Sequence, residues 1–336
     1  MVADSSPLLA KFCLTSLAGR WHRAEPGIVA RHNAGTQLSQ APRTIRGAIS
    51  TQAALSQASR PRSPSRRSSA MAAISLVISD VDGTLITPDK QLTEATLRTA
   101  RLLSERGIAF TVVSSRPPSG LRMLVRPLSL RLPMGAFSGS AVIGPDLQIV
   151  EQHFISEEVA RRSADVLSAF AADTWLYTPA GWFVCDPHGH YVSSEKRTIQ
   201  IEPTVVTDFG PHFARTFKLV GSSQNFTRLA ECETAMREVL GNQASVARSQ
   251  LYYLDITPPG LDKGTFVEAL SKRLAVPLRA IAVLGDMEND LAMFRKAGMS
   301  IAMGNASKKV KCFASHITTS NAEDGFPWAI KRYVLA

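Results

Sequence analysis

The sequence predicts an α/β protein in which a parallel sheet is interrupted by an inserted α+β segment. Short apolar runs alternate with helical patterns after residue 73, aromatic strands and turn signals mark residues 154–258, and the alternating pattern then returns. At 336 residues the chain is long enough for two domains. The predicted organisation is a leader at 1–70, a core in two parts at 71–153 and 259–336, and an inserted domain at 154–258.

The predicted leader carries most of the excess positive charge of the chain. Residues 1–70 hold ten basic and two acidic residues, so they contribute +8 of the net charge of +10. They are rich in Ser, Arg, Ala, Gln and Pro, a composition that buries too little apolar surface to order itself, and we predict disorder. Two explanations stay open: an organelle transit peptide for a mitochondrion or plastid, or an upstream extension of a cytoplasmic protein that starts at Met71.

The remaining 266 residues exclude several classes of protein. Their net charge is only +2, which argues against a nucleic-acid partner. We predict no membrane span, because the chain lacks a run of eighteen uncharged apolar residues. The four cysteines of the whole chain show no metal-ligand spacing, which indicates reduced thiols in a reducing compartment. They are Cys13 in the leader and Cys185, Cys232 and Cys312 outside it.

Local signals predict the first strand, helix and second strand of the core. Ile74–Ser79 is an apolar run typical of a buried strand. Thr93 suits the N-cap of a helix over about 94–106, and Gly107 suits its end. Ile108–Val113 is a second apolar run, and strand, helix and strand in this order predict a right-handed parallel unit.

The inserted segment is predicted to hold an antiparallel sheet with helices. The expected elements are a helix containing Val159 and Leu167, turns at Pro179–Gly181 and Asp186–Gly189, a helix near Phe226–Leu240 and a strand at Gln250–Thr257. Beyond the insertion we expect a strand at Ile281–Leu284, a helix over Asp290–Lys296 and a strand at Ser300–Met303.

Polar residues follow the predicted strands at the sheet edge where parallel sheets collect ligands. Asp80 and Asp82 follow the first strand and point the same way, which suits metal binding combined with nucleophilic attack. An Asp-Gly turn is the simpler reading of Asp82-Gly83. Ser114 ends the second strand, where its hydroxyl and the neighbouring backbone N–H of Ser115 suit a phosphate.

Two further clusters come from the second part of the core. Lys263 is a point cation suited to a phosphate, although a lysine after a glycine turn is also commonly solvated. Gly285–Asp290 supplies carboxylates and an amide, the hard oxygen ligands that Mg²⁺ prefers. Within it, Glu288 and Asp290 are also the acids expected at a helix N-terminus.

Together these segments resemble the four motifs of the haloacid dehalogenase-like (HAD) hydrolase superfamily: Asp80–Leu85, Ser114, Lys263 and Gly285–Asp290. The large insertion is similar to that of the Cof-type subfamily, class IIB. The resemblance covers about residues 74–330. It implies a Rossmann-like parallel-sheet core with an inserted α+β cap domain of the C2 type, preceded here by the disordered extension.

The resemblance also implies an activity and roles for residues. It implies an Mg²⁺-dependent phosphatase that hydrolyses small phosphorylated metabolites such as sugar phosphates through an aspartyl-phosphate. Asp80 is then the nucleophile, Asp82 moves the protons, and Asp80, Asp286 and the backbone carbonyl of Asp82 hold the metal. The predicted phosphate-binding residues are Ser114, Ser115, Lys263 and Asn289. A phosphosugar mutase or phosphotransferase and a catalytically silent binding protein are the alternatives, and we expect a monomer or homodimer.

Cap residues would select the substrate. The candidates for substrate contacts are Trp175, Tyr177, Trp182, His188, His190 and Lys218. Core packing competes with this role for the aromatics, and a solvated hairpin tip competes for the two histidines. The chain departs from the superfamily at Ser114-Ser115-Arg116, where Thr-Gly-Arg is usual, and at Ser138-Gly139-Ser140, where Asn-Gly-Ala is usual.

Overall fold

A computed structural model describes residues 73–336, and the leader predicted at 1–70 lies outside the described residues. The described residues form one compact unit. In the range that the structure describes, no helix is both long and apolar enough to cross a membrane.

The described range contains strands of two to six residues. In chain order they are β1 (Leu76–Ser79), β2 (Ala109–Val112), β3 (Met134–Ala136), β4 (Ala141–Ile143), β5 (Ile149–Gln152), β6 (Asp173–Thr178), β7 (Gly181–Val184), β8 (Thr204–Val205), β9 (Lys218–Ser222), β10 (Ser245–Gln250), β11 (Tyr253–Thr257), β12 (Ile281–Gly285), β13 (Met299–Ala302) and β14 (His316–Ile317).

Helices separate most of these strands. The α-helices are α1 (Glu94–Glu105), α2 (Pro118–Val125), α3 (Glu157–Ala169), α4 (Val192–Ile199), α5 (Phe226–Leu240), α6 (Lys263–Leu274), α7 (Leu291–Phe294), α8 (Lys308–Phe313) and α9 (Gly325–Ala329). Short 3₁₀ turns lie at Phe137–Gly139, Gly210–Arg215, Leu278–Ala280, Glu288–Asp290 and Asn321–Glu323, and a π-helical turn lies at Ile330–Val334.

The core sheet is parallel throughout and has the order β14-β13-β12-β1-β2. Strand β1 is buried along its length because it lies between β2 and β12. The chain leaves β1 toward β2 on one side and returns to β12 on the other. This reversal of direction opens a crevice at the carboxyl ends of the strands, where ligands bind in such sheets. The predicted α/β class and parallel core are confirmed.

A second sheet has the order β10-β11-β9-β6-β7-β8. Its pairs are antiparallel except for β7 with β8, and α3 and α5 pack on one face over a buried apolar cluster. This is the predicted α+β insertion. The predicted domain boundaries fall between β5 and α3 and between β11 and α6.

Three local predictions are wrong in detail. The single strand expected at Gln250–Thr257 is the end of β10, a two-residue turn at Leu251–Tyr252 and β11, and the turn contains no Gly, Pro or Asn that would signal it. The helix expected over Asp290–Lys296 is a 3₁₀ turn followed by the short α7. His188 and His190 lie in the turn from β7 into α4 and not at a hairpin tip.

The core sheet and the second sheet contribute to one hydrophobic cluster, so the insertion packs against the core. Strands β3, β4 and β5 form a third, antiparallel sheet. Phe217, which precedes β9, stacks on Phe137 of the core with ring centroids 5.1 Å apart. The ring of Phe154 also lies against the ring of Phe217, with centroids 4.7 Å apart. Aromatic pairs at such distances add to the stabilisation that burial alone provides.

Candidate active site

Asp80 lies directly after β1 and is held in a buried ion-pair cluster. The ammonium Nζ of Lys263 is 2.5 Å from Asp80 Oδ1 and 2.6 Å from Asp290 Oδ1. All three side chains are almost completely buried. Lys263 is positioned because α6 begins at that residue, with Asp262 as its N-cap in a capping box with Thr265. The structure therefore brings the predicted nucleophile and the predicted cation into contact.

Asp286 follows β12 and faces the same crevice. The hydroxyl of Thr84 donates to Asp286 Oδ1 at 3.0 Å, and Asn305 Nδ2 donates to Asp286 Oδ2 at 3.1 Å. Gly83 has φ of +80°, and a Cβ atom there would lie 2.3 Å from Asp286 Oδ2. Only glycine fits this turn without strain, since it alone combines the positive φ with the close approach of a carboxylate.

The electrostatics of the cluster leave negative charge in excess. Burial raises the pKa of Asp80 to about 7, the carboxylates of Asp290 and Asp82 add to the shift, and Lys263 opposes it. Burial also raises the pKa of Asp286 well above its usual range, with Asp80 and Asp290 contributing. Lys263 is one cation among three buried carboxylates, so a further positive charge would stabilise the ionised forms.

This cluster fits a divalent cation. Oxygen atoms of Asp80, Asp286 and Asp290 lie within 4.8 Å of one another. Asp290, however, already accepts hydrogen bonds from Lys263 on Oδ1 and from the backbone N–H groups of Asp286 and Met287 on Oδ2. The carboxylates best placed to take up a metal are therefore Asp80 and Asp286, and Asp290 serves to hold Lys263 and the loop. Carboxylate donors of this kind suit a hard cation such as Mg²⁺.

Asp82 lies apart from this cluster and is paired with two cations. Arg116 donates through Nε and Nη2 to the two Asp82 oxygens at 2.6 and 2.8 Å, and Lys90 Nζ is 2.6 Å from Oδ1. Burial would raise the pKa of Asp82, but Arg116 and Lys90 outweigh it and hold that pKa well below its usual range. The carboxylate is therefore ionised while both contacts persist.

The two predicted phosphate-binding serines lie where β2 ends. Ser114 is buried, its hydroxyl accepts the N–H of Arg116 at 3.2 Å, and its carbonyl accepts the N–H of Ser138 at 2.8 Å. The carbonyl of Ser115 accepts from Lys218 Nζ at 2.9 Å. Lys218, which belongs to β9 of the insertion, therefore reaches the core loop.

Asn289 and Glu288 separate in role. The Asn289 side-chain oxygen is buried and accepts no hydrogen bond within the described range. Glu288 is paired with Lys309 at 2.7 Å on the surface and takes no part in the cluster. Asp290 is completely buried, so it is not merely a solvated first-turn acid.

The cap residues predicted to contact substrate also differ in their surroundings. Trp175 and Trp182 are buried in the hydrophobic cluster, as the core-packing alternative requires. Tyr177 is also buried, and its hydroxyl donates to Glu195 at 2.9 Å. His188 and His190 are exposed.

Several residues at the site carried no recognisable signal in the sequence. Arg116 stood out only as part of a three-residue motif, and Lys90 reaches Asp82 because of a turn in which its own φ is +62°. Glu195 and Asp255 are buried acids of the cap that face this region. Asn305 lies after β13, and its contact with Asp286 depends on the folded sheet.

A parallel core with carboxylates at its strand ends and an inserted cap over them defines a capped α/β hydrolase with an acidic site. The family model of the haloacid dehalogenase-like hydrolases matches residues 77–330, and the chain belongs to this family. The resemblance noted in the sequence is therefore confirmed.

Individual proteins agree with this assignment. An HMP-PP phosphatase of Cronobacter sakazakii is 25% identical over 250 residues, which are 71% of this chain and 87% of the relative. A haloacid dehalogenase-like hydrolase from Bacteroides thetaiotaomicron is 26% identical, with a TM-score of 0.67 over 77% of this chain and 99% of that one. A HAD subclass IIB sugar phosphatase shares the fold at 19% identity, with a TM-score of 0.68 over 78% of this chain and 99% of the other. The predicted enzyme class, a HAD-type phosphatase, is confirmed.

Proposed function

We propose that this protein is an Mg²⁺-dependent phosphatase that hydrolyses small phosphorylated metabolites through an aspartyl-phosphate, and that sugar phosphates are its principal substrates. The observation that carries the proposal is Lys263, held between Asp80 and Asp290 in a buried acidic cluster that also contains Asp286. The relative named HMP-PP phosphatase supports a small phosphorylated substrate.

Asp80 would attack the phosphorus atom, so that the bond to the leaving alcohol breaks as the aspartyl-phosphate forms. A buried carboxylate beside a phosphate is a poor nucleophile without cations. Repulsion between unit charges about 4 Å apart is roughly 4 kcal/mol at an effective dielectric constant near 20. Lys263 would offset part of this repulsion, and Ser114, Ser115 and Asn289 would orient the phosphoryl oxygens.

Asp80, Asp286 and the carbonyl of Asp82 would hold the metal. When bound, Mg²⁺ would supply charge neutralisation between nucleophile and phosphate. In the protein itself, the Asp290 contacts keep Lys263 and the loop of Asp286 in place, so the donor set is already organised.

Asp82 would protonate the leaving alcohol and then take a proton from the water that attacks the aspartyl-phosphate, and the bond between phosphorus and the Asp80 oxygen would break to release phosphate and the free carboxylate. Its pairing with Arg116 and Lys90 keeps it ionised, the form needed for the second step. For the first step it must carry a proton, which requires at least one of these two contacts to loosen. Substrate binding between the cap and the core would provide that change.

The proposal is tested by Asp80→Asn in the full chain. We expect phosphate release from a panel of phosphorylated metabolites with Mg²⁺ to fall by about 10⁴-fold or more, since the nucleophile is lost. Mass analysis of acid-quenched wild-type protein should find the phosphoryl group on Asp80. Glu288→Gln is the control and should keep its activity, because it changes an acid of the Gly285–Asp290 segment that lies outside the cluster.

An active Asp80→Asn variant would refute the proposed nucleophile. Transfer of the phosphoryl group back to the sugar, with little free phosphate, would favour the phosphosugar mutase. Dependence on the metal is tested in the same assay by chelation and re-addition of Mg²⁺, which should abolish and restore phosphate release.

A further inference from the structure

Two buried side chains of the cap, Lys218 of β9 and Asp255 of β11, form an ion pair next to the proposed phosphate loop. Lys218 Nζ lies 3.3 Å from Asp255 Oδ2 and donates to the carbonyl of Ser115 at 2.9 Å. Each side chain is only 5% exposed. The ammonium also lies over the ring of Tyr177, 5.2 Å from the ring centroid, which is within the range of a cation–π contact. Through Lys218, the pair therefore contacts the core at the loop that follows β2.

This pair has unused hydrogen-bonding capacity. A lysine ammonium has three donors, and the contacts with Ser115 and Asp255 use two of them. Asp255 Oδ1 is buried and accepts no well-aligned hydrogen bond from the part of the chain that the structure describes, although the hydroxyl of Ser249 also interacts with this carboxylate. A buried acceptor without a well-placed donor is energetically costly, so such an atom indicates a place for a donor from water or a ligand.

The neighbouring buried acid behaves differently. Glu195 of α4 accepts the hydroxyl proton of Tyr177 at 2.9 Å, so a group of the protein already satisfies it. Asp255 Oδ1 has no well-aligned partner of this kind within the described residues, and the other oxygen of the same carboxylate is paired with Lys218. The unsatisfied acceptor and the remaining donor therefore lie side by side.

A hydroxyl group is the ligand that matches this arrangement, because it donates one hydrogen bond and accepts others. An ether or carbonyl oxygen would accept from Lys218 but leave Asp255 Oδ1 unsatisfied. An ammonium would donate to Asp255 but be repelled by Lys218. We propose that Lys218 and Asp255 are specificity-determining residues that bind a hydroxyl of the leaving group. This inference rests on the proposed phosphatase function, since the hydroxyl is placed by the phosphoryl group of the same substrate.

The test uses the full chain with Mg²⁺ and measures kcat/KM for two kinds of phosphate ester. One is the hexose phosphate that the wild-type protein hydrolyses fastest, together with its single-deoxy analogues, and the other is p-nitrophenyl phosphate. In Asp255→Asn the amide oxygen would accept from Lys218, so the amide NH₂ group, a donor, would take the place of the acceptor Oδ1. We expect the ratio of kcat/KM for the hexose phosphate to that for the aryl phosphate to fall about tenfold.

The deoxy series provides a second readout that a merely structural role would not move. One deoxy analogue should be a poorer substrate than its parent for the wild-type protein, by about tenfold, and Asp255→Asn should no longer distinguish the two. Lys218→Met should give the same loss of discrimination. Asp165→Asn, which changes an exposed acid of α3, is the matched control and should leave the ratio as in the wild type.

Each outcome decides the inference. An unchanged ratio in both variants, or an equal loss on both ester types, overturns it while the phosphatase function stands. If neither variant folds, the wild-type deoxy series decides, and equal rates on all analogues overturn the inference. If the wild-type protein releases phosphate from neither ester type, the proposed function itself fails and this inference fails with it.

Discussion

At the scale of single residues, the loop that follows β3 stores backbone strain next to the proposed site. Phe137 and Ser138 both have positive φ values, +48° and +58°, which residues other than Gly, Asn and Asp rarely adopt. The N–H of Ser138 donates to the carbonyl of Ser114 at 2.8 Å, so this conformation holds the loop that follows β2. Strained residues of this kind persist at functional sites because the surrounding structure holds them.

Two substitutions of Ser138, to Asn and to Val, should therefore have opposite effects on the free energy of unfolding. Ser138→Asn is expected to raise the free energy of unfolding by up to about 1 kcal/mol, because Asn tolerates the left-handed region. Ser138→Val is expected to lower it by about 1–3 kcal/mol, because a β-branched side chain is strained there. Urea unfolding of both variants checks this, and equal effects in the two would show that backbone strain at Ser138 is unimportant.

At the scale of elements, Arg116 connects three parts of the molecule. Its guanidinium is bidentate on Asp82, and Nη1 donates to the carbonyl of Gly120 in α2 at 2.9 Å and of Thr198 in α4 at 3.4 Å. Gly120 also lets α4 approach α2, because a Cβ atom there would lie 3.3 Å from a methyl carbon of Ile199. The side chain that controls the charge of Asp82 is thus also a contact between core and cap.

Replacement of Arg116 tests this connection. Arg116→Lys keeps the charge but loses the planar fork, so we expect kcat/KM to fall by about 10–100-fold. The pKa of Asp82 should rise toward its usual range, and the limb of the pH–rate profile that Asp82 contributes should move to higher pH. Arg122→Lys, an exposed change in the same helix α2, is the control. A profile of Arg116→Lys that matches this control would contradict the connection.

At the scale of the whole molecule, the elements with strong local signals were predictable from sequence. Thr93 caps α1 by accepting the N–H of Thr96 at 3.1 Å, and the buried β1 and β12 match their apolar runs. Because both strands end in a parallel sheet at a switch in direction, the closeness of Asp80 and Asp286 also follows. Local sequence and topology together are sufficient for that part of the site.

The remaining contacts depend on tertiary structure that no local pattern encodes. The bidentate pairing of Arg116 with Asp82 and the reach of Lys218 to Ser115 need the cap and core to be packed together. The turn at Leu251–Tyr252 lacks the residues that usually mark one. Sequence reasoning therefore predicted the acids at the strand ends and Lys263, but not the pairing of Asp82 with Arg116 and Lys90.

The same buried acids make the stability of the whole metal-free protein depend on pH. The pKa of Asp80 is about 7 in the folded protein, against an ordinary value of 3.8. The folded state thus holds a proton that the unfolded chain has lost, so this contribution to stability is complete below pH 3.8 and is lost as pH rises through about 7. The pKa of Asp82 is shifted in the opposite direction, so its contribution to stability is lost only as pH falls below its ordinary pKa of 3.8.

We therefore expect the free energy of unfolding of metal-free protein to fall between about pH 5 and about pH 8, by at most about 1.4 kcal/mol per pH unit for Asp80. In Asp80→Asn this slope should be smaller, and at about pH 8 the variant should be more stable than the wild type, because one buried charge is gone. Mg²⁺ should stabilise the wild type more at high pH, where its ligands are ionised. Urea unfolding in EDTA, with Asp165→Asn as an exposed control, measures this, and equal slopes in wild type and Asp80→Asn would contradict the raised pKa of Asp80.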